Sequence, residues 1–179
     1  MMEAANENRR FRPRDMTREA FLKIFGGVYE HSPWIAEGVF AKGLTGDHDS
    51  IAGLHNALRQ AVDDSDRERQ LALLRAHPDL AGKLAVAGEL TVESTAEQTS
   101  AQLDKCSAAE FQEFQALNDR YKEKFEFPFI LAVRGRSRQE ILKNFRTRAE
   151  HDPETEFAEA LRQVHRIALL RIEALFQEE

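Results

Sequence analysis

Apolar residues recur at helical spacing along almost the whole chain, and this periodicity constrains the fold more than any other feature. On the third expected helix, Ile51, Leu54, Leu58 and Val62 form one apolar stripe. Helix-start signals of the form Ser-x-x-Glu, in which each side chain satisfies a backbone donor, occur at four places. They are Ser65/Glu68, Ser94/Glu97, Ser107/Glu110 and Ser137/Glu140. The pattern predicts an all-α, bundle-like fold.

One apolar run, from Phe125 to Val133, departs from this pattern because it has Pro128 near its centre. Proline disfavours a helix and drives the preceding residue, Phe127, toward extended backbone. The sequence therefore predicts a short extended apolar segment near residues 125–133. If it is buried, its amides and carbonyls need partners. The residues leave two interpretations open, a ligand-binding segment and a short strand or loop that threads the core.

The chain length of 179 residues suits one domain with a continuous core. The first 15 residues are polar, and we expect a disordered arm there. No internal repeat, low-complexity tract or flexible linker interrupts the rest. We therefore expect a single helical domain from residue 16 to residue 179.

The charge balance argues against nucleic acid as a partner. The chain has 25 basic and 31 acidic residues, a net charge of −6, whereas phosphate neutralisation needs a clustered basic face. No stretch approaches the roughly 18 apolar residues of a membrane span. Cys106 is the single cysteine, so an intramolecular disulfide and a multi-cysteine metal site are both excluded. Because the N-terminus also lacks the apolar stretch of a signal peptide, we expect the cytoplasm.

The sequence lacks the common catalytic and cofactor motifs. There is no phosphate-binding glycine loop and no Gly-x-Ser-x-Gly turn. The six histidines do not occur at the helical spacings typical of zinc or di-iron sites, so no metal site is predicted. Acid–base chemistry by individual side chains is what these observations leave.

His77 is the strongest candidate for such chemistry. It lies between a helix that we expect to end near Ala76 and Pro78, which could start the next helix. Because proline restricts the preceding residue to extended backbone, the imidazole is fixed at a helix junction. Histidine titrates near neutrality and can donate or accept a proton there. The alternative is a structural histidine that caps the last turn of the preceding helix.

Two further ionisable residues are candidates, each with a structural alternative. Glu97 is explained equally well as the capping-box partner of Ser94. Arg171 falls on the apolar stripe of the last helix, and an arginine is rarely buried without a partner. It should meet a carboxylate, a carbonyl or an anionic ligand, unless its stem carries the charge to the surface.

Five phrases in a fixed order resemble a known family. They are Glu30-His-Ser-Pro-Trp34, His77-Pro-Asp-Leu80, Ser94-Thr-Ala-Glu-Gln98, Asn118-Asp-Arg-Tyr121 and Phe127-Pro-Phe-Ile130. Together they resemble the 2-oxo-4-hydroxy-4-carboxy-5-ureidoimidazoline (OHCU) decarboxylases of urate breakdown, over roughly residues 17 to 176. The resemblance implies an all-α homodimer without metal or organic cofactor, which converts the ureide OHCU to (S)-allantoin and carbon dioxide.

The resemblance also implies site residues. Catalytic roles fall on His77, Glu97 and Arg171. Substrate contacts fall on Pro78, Ser94, Gln98, Phe129, Ile130, Leu131, Ala132 and Val133. The chain departs from the family where Gln102 and Glu126 replace glycines that family members commonly have, in Ala-Gly-Leu and Phe-Gly-Phe-Pro phrases. Both replacements lie beside phrases of the expected pocket.

These residues suggest a mechanism in which His77 is the general acid. Glu97 would orient the substrate, and Arg171 would pair with its carbonyl or carboxylate oxygens. The hypothesis requires that the imidazole, the carboxylate and the guanidinium share one cavity. Two other classes stay open on the residues alone, a non-catalytic helical interaction module and a related ureide hydrolase or isomerase.

Overall fold

The computed structural model describes residues 11–82 and 89–177, which form eight α-helices and no strand. The helices are α1 (Arg18–Phe25), α2 (Trp34–Ala41), α3 (Ile51–Asp63), α4 (Arg67–Arg75), α5 (Val92–Ser100), α6 (Ala108–Phe125), α7 (Arg138–Ala149) and α8 (Pro153–Gln177). The predicted all-α fold is confirmed. In the described ranges, no helix combines the length and apolar character needed to cross a membrane.

Capping boxes at Ser107 and Ser137 begin α6 and α7 as predicted. In each box the serine hydroxyl accepts the amide of the glutamate three residues later, and that glutamate accepts the serine amide. The other two predicted boxes are wrong. Asp66 accepts the Arg69 amide at the start of α4, and Thr91 accepts the Ser94 amide at the start of α5. In both cases a suitable cap nearby displaces the predicted serine.

The first of two compact units comprises Met1–Gln70 and Ile167–Glu179. Its core contains buried apolar side chains from α1, α3 and the end of α8: Phe21, Phe25, Leu54, Leu58, Val62 and Ile172. These include three of the four members of the stripe predicted for α3. Burying each side chain of this size contributes about 1.5–3 kcal/mol.

The predicted disordered arm, residues 1–15, lies partly outside the described residues, which begin at Phe11. From residue 11 to residue 15 the structure differs from that prediction. Pro13–Asp15 is a 3-10 helix, and the Arg14 amide donates to Asp49 Oδ1 at 3.1 Å. The ring of Phe11 meets Phe25 edge-on, with 5.8 Å between centroids. The polarity of this segment does not reveal partners that lie later in the chain.

The second compact unit is Leu71–Arg166. Its core is an aromatic cluster around Tyr121 of α6, which is fully buried. The rings within about 6 Å of Tyr121 are Phe125, Phe127, Phe129 and Phe145. The prediction of one domain from residue 16 to residue 179 stays a prediction.

The predicted extended segment follows α6 in this second unit. Phe125 is still helical, Glu126 ends the helix, and residues 127–133, here called the connector, have no regular secondary structure. All seven connector residues are buried, and Phe129 is only 1% exposed. The segment is therefore a loop that threads the core and not a strand, and this conformation leaves the ligand-binding interpretation open.

Gln102 and Glu126, at the two positions where the family commonly has glycine, both have left-handed backbone. Their φ angles are +58° and +64°. This conformation costs an L-residue about 1–2 kcal/mol and costs glycine little. Glu126 occupies the position after a helix where glycine is most favoured. The glycine preference at both positions therefore has a backbone cause.

We predict that Glu126→Gly raises the free energy of unfolding by about 1 kcal/mol, because it relieves the left-handed strain. Urea denaturation measures the change. Glu123→Gly, an exposed position inside α6, is the matched control and should lower stability by roughly 0.5–1 kcal/mol. Equal losses in the two variants would contradict the assignment of strain to Glu126.

Candidate functional site

His77 lies directly after the last turn of α4, beside Pro78. Its backbone amide donates to the Leu74 carbonyl at 3.2 Å. Its ring atom Nδ1 lies 2.9 Å from the Leu73 carbonyl oxygen, so the buried imidazole caps the helix end. Because a carbonyl can only accept, Nδ1 carries the hydrogen of the neutral ring, and the lone pair is on Nε2. The structural interpretation of His77, as a helix cap, thus concerns Nδ1, whereas the chemical interpretation concerns Nε2.

Gln98 of α5 holds the turn that follows His77 and Pro78. Its Oε1 accepts the Ala81 amide at 3.0 Å, and its Nε2 donates to the Asp79 carbonyl at 3.2 Å. Ala81 has left-handed backbone, with φ of +50°, which an alanine rarely adopts. Both ends of the buried Gln98 amide are therefore used to stabilise a strained turn next to the imidazole.

α6 holds the same turn from its own side chains. Asn118 Nδ2 donates to the Leu80 carbonyl at 3.0 Å, and Gln115 Nε2 donates to the Ala81 carbonyl at 2.9 Å. Lys122 Nζ lies 2.7 Å from Asp79 Oδ2. The backbone after His77 consequently has defined partners at three successive residues, which fixes the position of the segment that carries the imidazole.

His77 and Pro78 line a cavity of about 330 Å³ in the second unit. Pro128 of the connector contributes to the same cavity, so the histidine and the connector border one space. The other lining residues are mostly polar or charged: Arg75, Asp79, Gly82, Gln115, Asp119 and Lys122. A cavity of this size and polarity suits a small polar molecule.

The connector backbone is held by side chains at alternate residues. Arg148 Nη1 donates to the Ile130 carbonyl at 2.6 Å, and Gln163 Oε1 accepts the Ala132 amide at 3.1 Å. Arg136 Nε donates to the Ala132 carbonyl at 3.1 Å. These bonds replace the ladder that a strand would have supplied.

The backbone amide and carbonyl of Leu131, between those two residues, lack hydrogen bonds among the described residues, as do those of Phe129. Leu131 is nevertheless only 3% exposed. A buried amide or carbonyl without an internal partner is rare and needs a ligand or water. This supports the ligand-binding interpretation of the segment.

Ser94, Glu97 and Gln98 share one face of α5, since residues three and four apart lie on the same side of a helix. Ser94 and Gln98 are buried, and Glu97 is half-buried. Thr91 supplies the cap of this helix, so the capping-box explanation of Glu97 is wrong. Glu97 lies on the helix whose Gln98 binds the turn after His77.

Arg171 belongs to the first unit, where it is buried in an ion pair. Its Nη2 lies 2.8 Å from Glu30 Oε2, and its Nη1 donates to the carbonyls of Gly27 and Val28 at 3.4 Å. Both charged side chains are at most 5% exposed. The expectation that Arg171 meets a carboxylate and carbonyls inside the protein is confirmed.

The structure thus places His77, Pro78 and the connector around one cavity and places Gln98 behind the neighbouring turn. That His77, Glu97 and Arg171 share a cavity stays a prediction. Across the described ranges, no three His, Cys, Asp or Glu side chains are grouped as metal ligands.

A family model described as OHCU decarboxylase matches residues 14–173. The chain belongs to the OHCU decarboxylase family. The predicted resemblance is confirmed over nearly all of the described residues.

Relatives of this family agree in sequence and in fold. A 2-oxo-4-hydroxy-4-carboxy-5-ureidoimidazoline decarboxylase from Haloferax volcanii is 42% identical over 161 residues, 90% of this chain and 92% of the relative. The crystal structure of (S)-allantoin synthase superposes with a TM-score of 0.72 at 31% identity and covers 92% of this chain, which spans 52% of that one. The crystal structure of an OHCU decarboxylase in the presence of (S)-allantoin superposes with a TM-score of 0.68 at 25% identity. The match covers 84% of this chain and 96% of that one.

Sequence reasoning missed the residues that act on backbone. Asn118 lies in one of the family phrases, but nothing local indicates that its amide reaches Leu80. Glu30 is in another phrase, and its partner Arg171 is near the opposite end of the chain. A polar residue on an apolar helix face indicates that the residue has a buried partner, but it does not identify that partner.

We predict that Gln98→Ala lowers the free energy of unfolding by about 1–3 kcal/mol, because it leaves the buried Ala81 amide without an acceptor. Gln112→Ala, an exposed glutamine of α6, is the control and should change stability by less than about 0.5 kcal/mol. Chemical denaturation of both variants measures the difference. Equal stabilities would show that the turn does not depend on Gln98.

Proposed function

We propose that this chain is a carboxy-lyase that converts OHCU to (S)-allantoin and carbon dioxide, with His77 as the general acid. Membership of the OHCU decarboxylase family supports the reaction. The observation that carries the assignment of the acid is the bond from His77 Nδ1 to the Leu73 carbonyl. It orients the ring beside a polar cavity and makes Nε2 the proton-exchanging atom.

The reaction needs little chemistry from the protein. The bond between the ring carbon and the carboxylate breaks, carbon dioxide leaves, and the electron pair stays with the heterocycle. The conjugated nitrogen and carbonyl of the ring accept that density, so the substrate supplies its own electron sink. His77 then gives the proton that forms the new C–H bond. A positioned acid contributes about 10²–10⁴-fold to such a step.

Stereochemistry follows from the fixed ring. A proton delivered from one direction reaches one face of the planar intermediate, which gives the S product. The rigidity of the His77 segment supports this role, because its following turn has hydrogen-bond partners on α5 and α6. Orientation of this kind is a large part of enzymatic rate enhancement.

Glu97 and Arg171 complete the proposed catalytic set. Glu97 would accept hydrogen bonds from the hydroxyl or ureido donors of the substrate, and it lies half-buried on α5. Arg171 would pair with carbonyl or carboxylate oxygens of the substrate. Its guanidinium has five donors, and the bonds to Glu30, Gly27 and Val28 hold it in a defined orientation.

The proposed substrate contacts are of two kinds. Side chains would come from Pro78, Ser94 and Gln98, although the Gln98 amide already binds the turn, so its effect on substrate is through the position of that turn. Backbone contacts would come from residues Phe129 to Val133 of the connector. The amide and carbonyl of the buried Leu131 support these contacts, because a ureide offers an acceptor for the amide and a donor for the carbonyl.

We further propose a homodimer that works in the cytoplasm. The family resemblance supports the dimer, and the single cysteine suits a reducing compartment.

His77→Asn tests the proposed function. We expect kcat to fall about 10²–10⁴-fold with an unchanged fold, because asparagine cannot exchange a proton near neutrality. Freshly generated urate-oxidation product serves as substrate, and circular dichroism follows the appearance of (S)-allantoin alongside carbon dioxide release.

His48→Asn changes a half-buried histidine of the first unit; it is the matched control and should keep the wild-type rate. Wild-type rate and stereochemistry in His77→Asn would rule out the acid role. A wild-type chain that adds nothing to the spontaneous reaction would indicate the interaction module. A chain that consumes a different intermediate without releasing carbon dioxide would indicate the hydrolase or isomerase.

A further inference from the structure

Arg148 of α7 lies where the connector meets a buried charged network. Its Nη1 donates to the Ile130 carbonyl at 2.6 Å. Its guanidinium carbon lies 4.4 Å from the centroid of the Phe129 ring, a cation–π geometry. Phe145, one turn earlier on α7, stacks on Phe129 with centroids 3.9 Å apart. One arginine thus contacts both a side chain and a carbonyl of the connector.

The other side of Arg148 is bound to Glu156 of α8, which is completely buried. Arg148 Nε and Nη2 lie 2.7 and 2.6 Å from Glu156 Oε1. Tyr121 donates its hydroxyl to the same oxygen at 2.6 Å, and His151 Nδ1 lies 3.1 Å from Oε2. Burial, together with Glu156, raises the pKa of Tyr121, so its hydroxyl stays a donor. Both carboxylate oxygens therefore have partners.

Stability alone does not explain this network. Removing two charges from water costs free energy that their attraction often fails to recover, and apolar replacements of a whole buried pair are frequently neutral or stabilising. An aromatic cluster already surrounds Tyr121 and could fill this space. What apolar side chains cannot supply is a rigid donor for the carbonyl of Ile130.

We propose that Arg148 is a positioning residue for the decarboxylation, and that Glu156 and Tyr121 hold it in place. By fixing the Ile130 carbonyl and the Phe129 ring, Arg148 sets the orientation of the peptide group that also carries the Leu131 amide, and this amide has no hydrogen bond within the described residues. This inference rests on the proposed function, since it takes that peptide as a substrate contact.

The connector reaches the site from the other direction as well. Pro128, directly before Phe129, lines the cavity of His77. A shift of the Phe129–Ile130 backbone would therefore move the wall of that cavity and the Leu131 peptide together. Displacements of about 1 Å at such positions can lower the rate about 10²-fold.

Two variants and one control test the inference. Arg148→Lys keeps the positive charge beside Glu156 but loses the planar fork that reaches the carboxylate and the carbonyl together. The triple variant Tyr121→Phe, Arg148→Met, Glu156→Leu replaces the network with apolar side chains of similar size. Glu113→Leu with Arg146→Met removes an ion pair between α6 and α7, two of the three helices that the network joins, at a more exposed position.

Three readouts apply to each variant: the melting temperature, hydrogen exchange of the connector peptide that contains the Ala132 amide, and kcat/KM with the enantiomeric purity of the allantoin formed. We expect melting within about 4 °C of wild type for Arg148→Lys and for the control. In Arg148→Lys, connector exchange should be faster, kcat/KM about 10- to 100-fold lower, and the excess of the S product smaller. The triple variant should behave likewise, and the control should match wild type.

Wild-type kcat/KM and stereochemistry in Arg148→Lys would overturn the inference, whatever the connector exchange. If the triple variant does not fold, Arg148→Lys carries the test alone, because it leaves no unpaired buried charge. If the wild-type chain has no decarboxylase activity, the proposed function fails. Connector exchange then still decides whether Arg148 orders the segment.

Discussion

His77 is held at the end of α4 by two constraints of different origin. Pro78 prevents the helix from continuing, and the Leu73 carbonyl, which lacks the amide donor of a continuing helix four residues later, binds Nδ1 of the ring. The same bond that caps the helix thereby selects the tautomer and the orientation of the imidazole. A histidine in the middle of a helix would have neither a fixed tautomer nor a fixed ring orientation from such a bond. The chemistry proposed for Nε2 therefore depends on this helix end.

The irregular backbone around the site depends on side chains that act on peptide groups. Gln98 and Asn118 bind the turn after His77, and Arg148 and Gln163 bind the connector. Helices satisfy their own backbone, whereas a loop that passes through a core does not. These four side chains therefore act where helical hydrogen bonding stops. That is also where peptide groups become available to a ligand.

Features that depend on local chemistry were predictable from the sequence. The helical periodicity, the caps at Ser107 and Ser137 and the break at Pro128 follow from neighbouring residues alone. The false caps at Ser65 and Ser94 show the limit of that reasoning, because another capping residue nearby acts instead.

Long-range partners were not predictable in the same way. Arg171 was expected to have a buried partner, but only the fold identifies Glu30. Gln98 was assigned to the substrate, and the structure shows that its amide binds Asp79 and Ala81. The reason why the family commonly has glycine at positions 102 and 126 became clear only from the left-handed backbone of Gln102 and Glu126. Such features arise from contacts between distant segments, which spacing along the chain does not encode.

The tautomer of the His77 ring shows whether the Leu73 carbonyl fixes the imidazole. Nitrogen-15 NMR of the imidazole distinguishes a nitrogen that bears hydrogen from one that does not. We predict that the neutral ring carries its hydrogen on Nδ1 and that adding (S)-allantoin changes the Nε2 signal. A ring with its hydrogen on Nε2, or an Nε2 signal that the product leaves unchanged at saturation, would contradict this prediction.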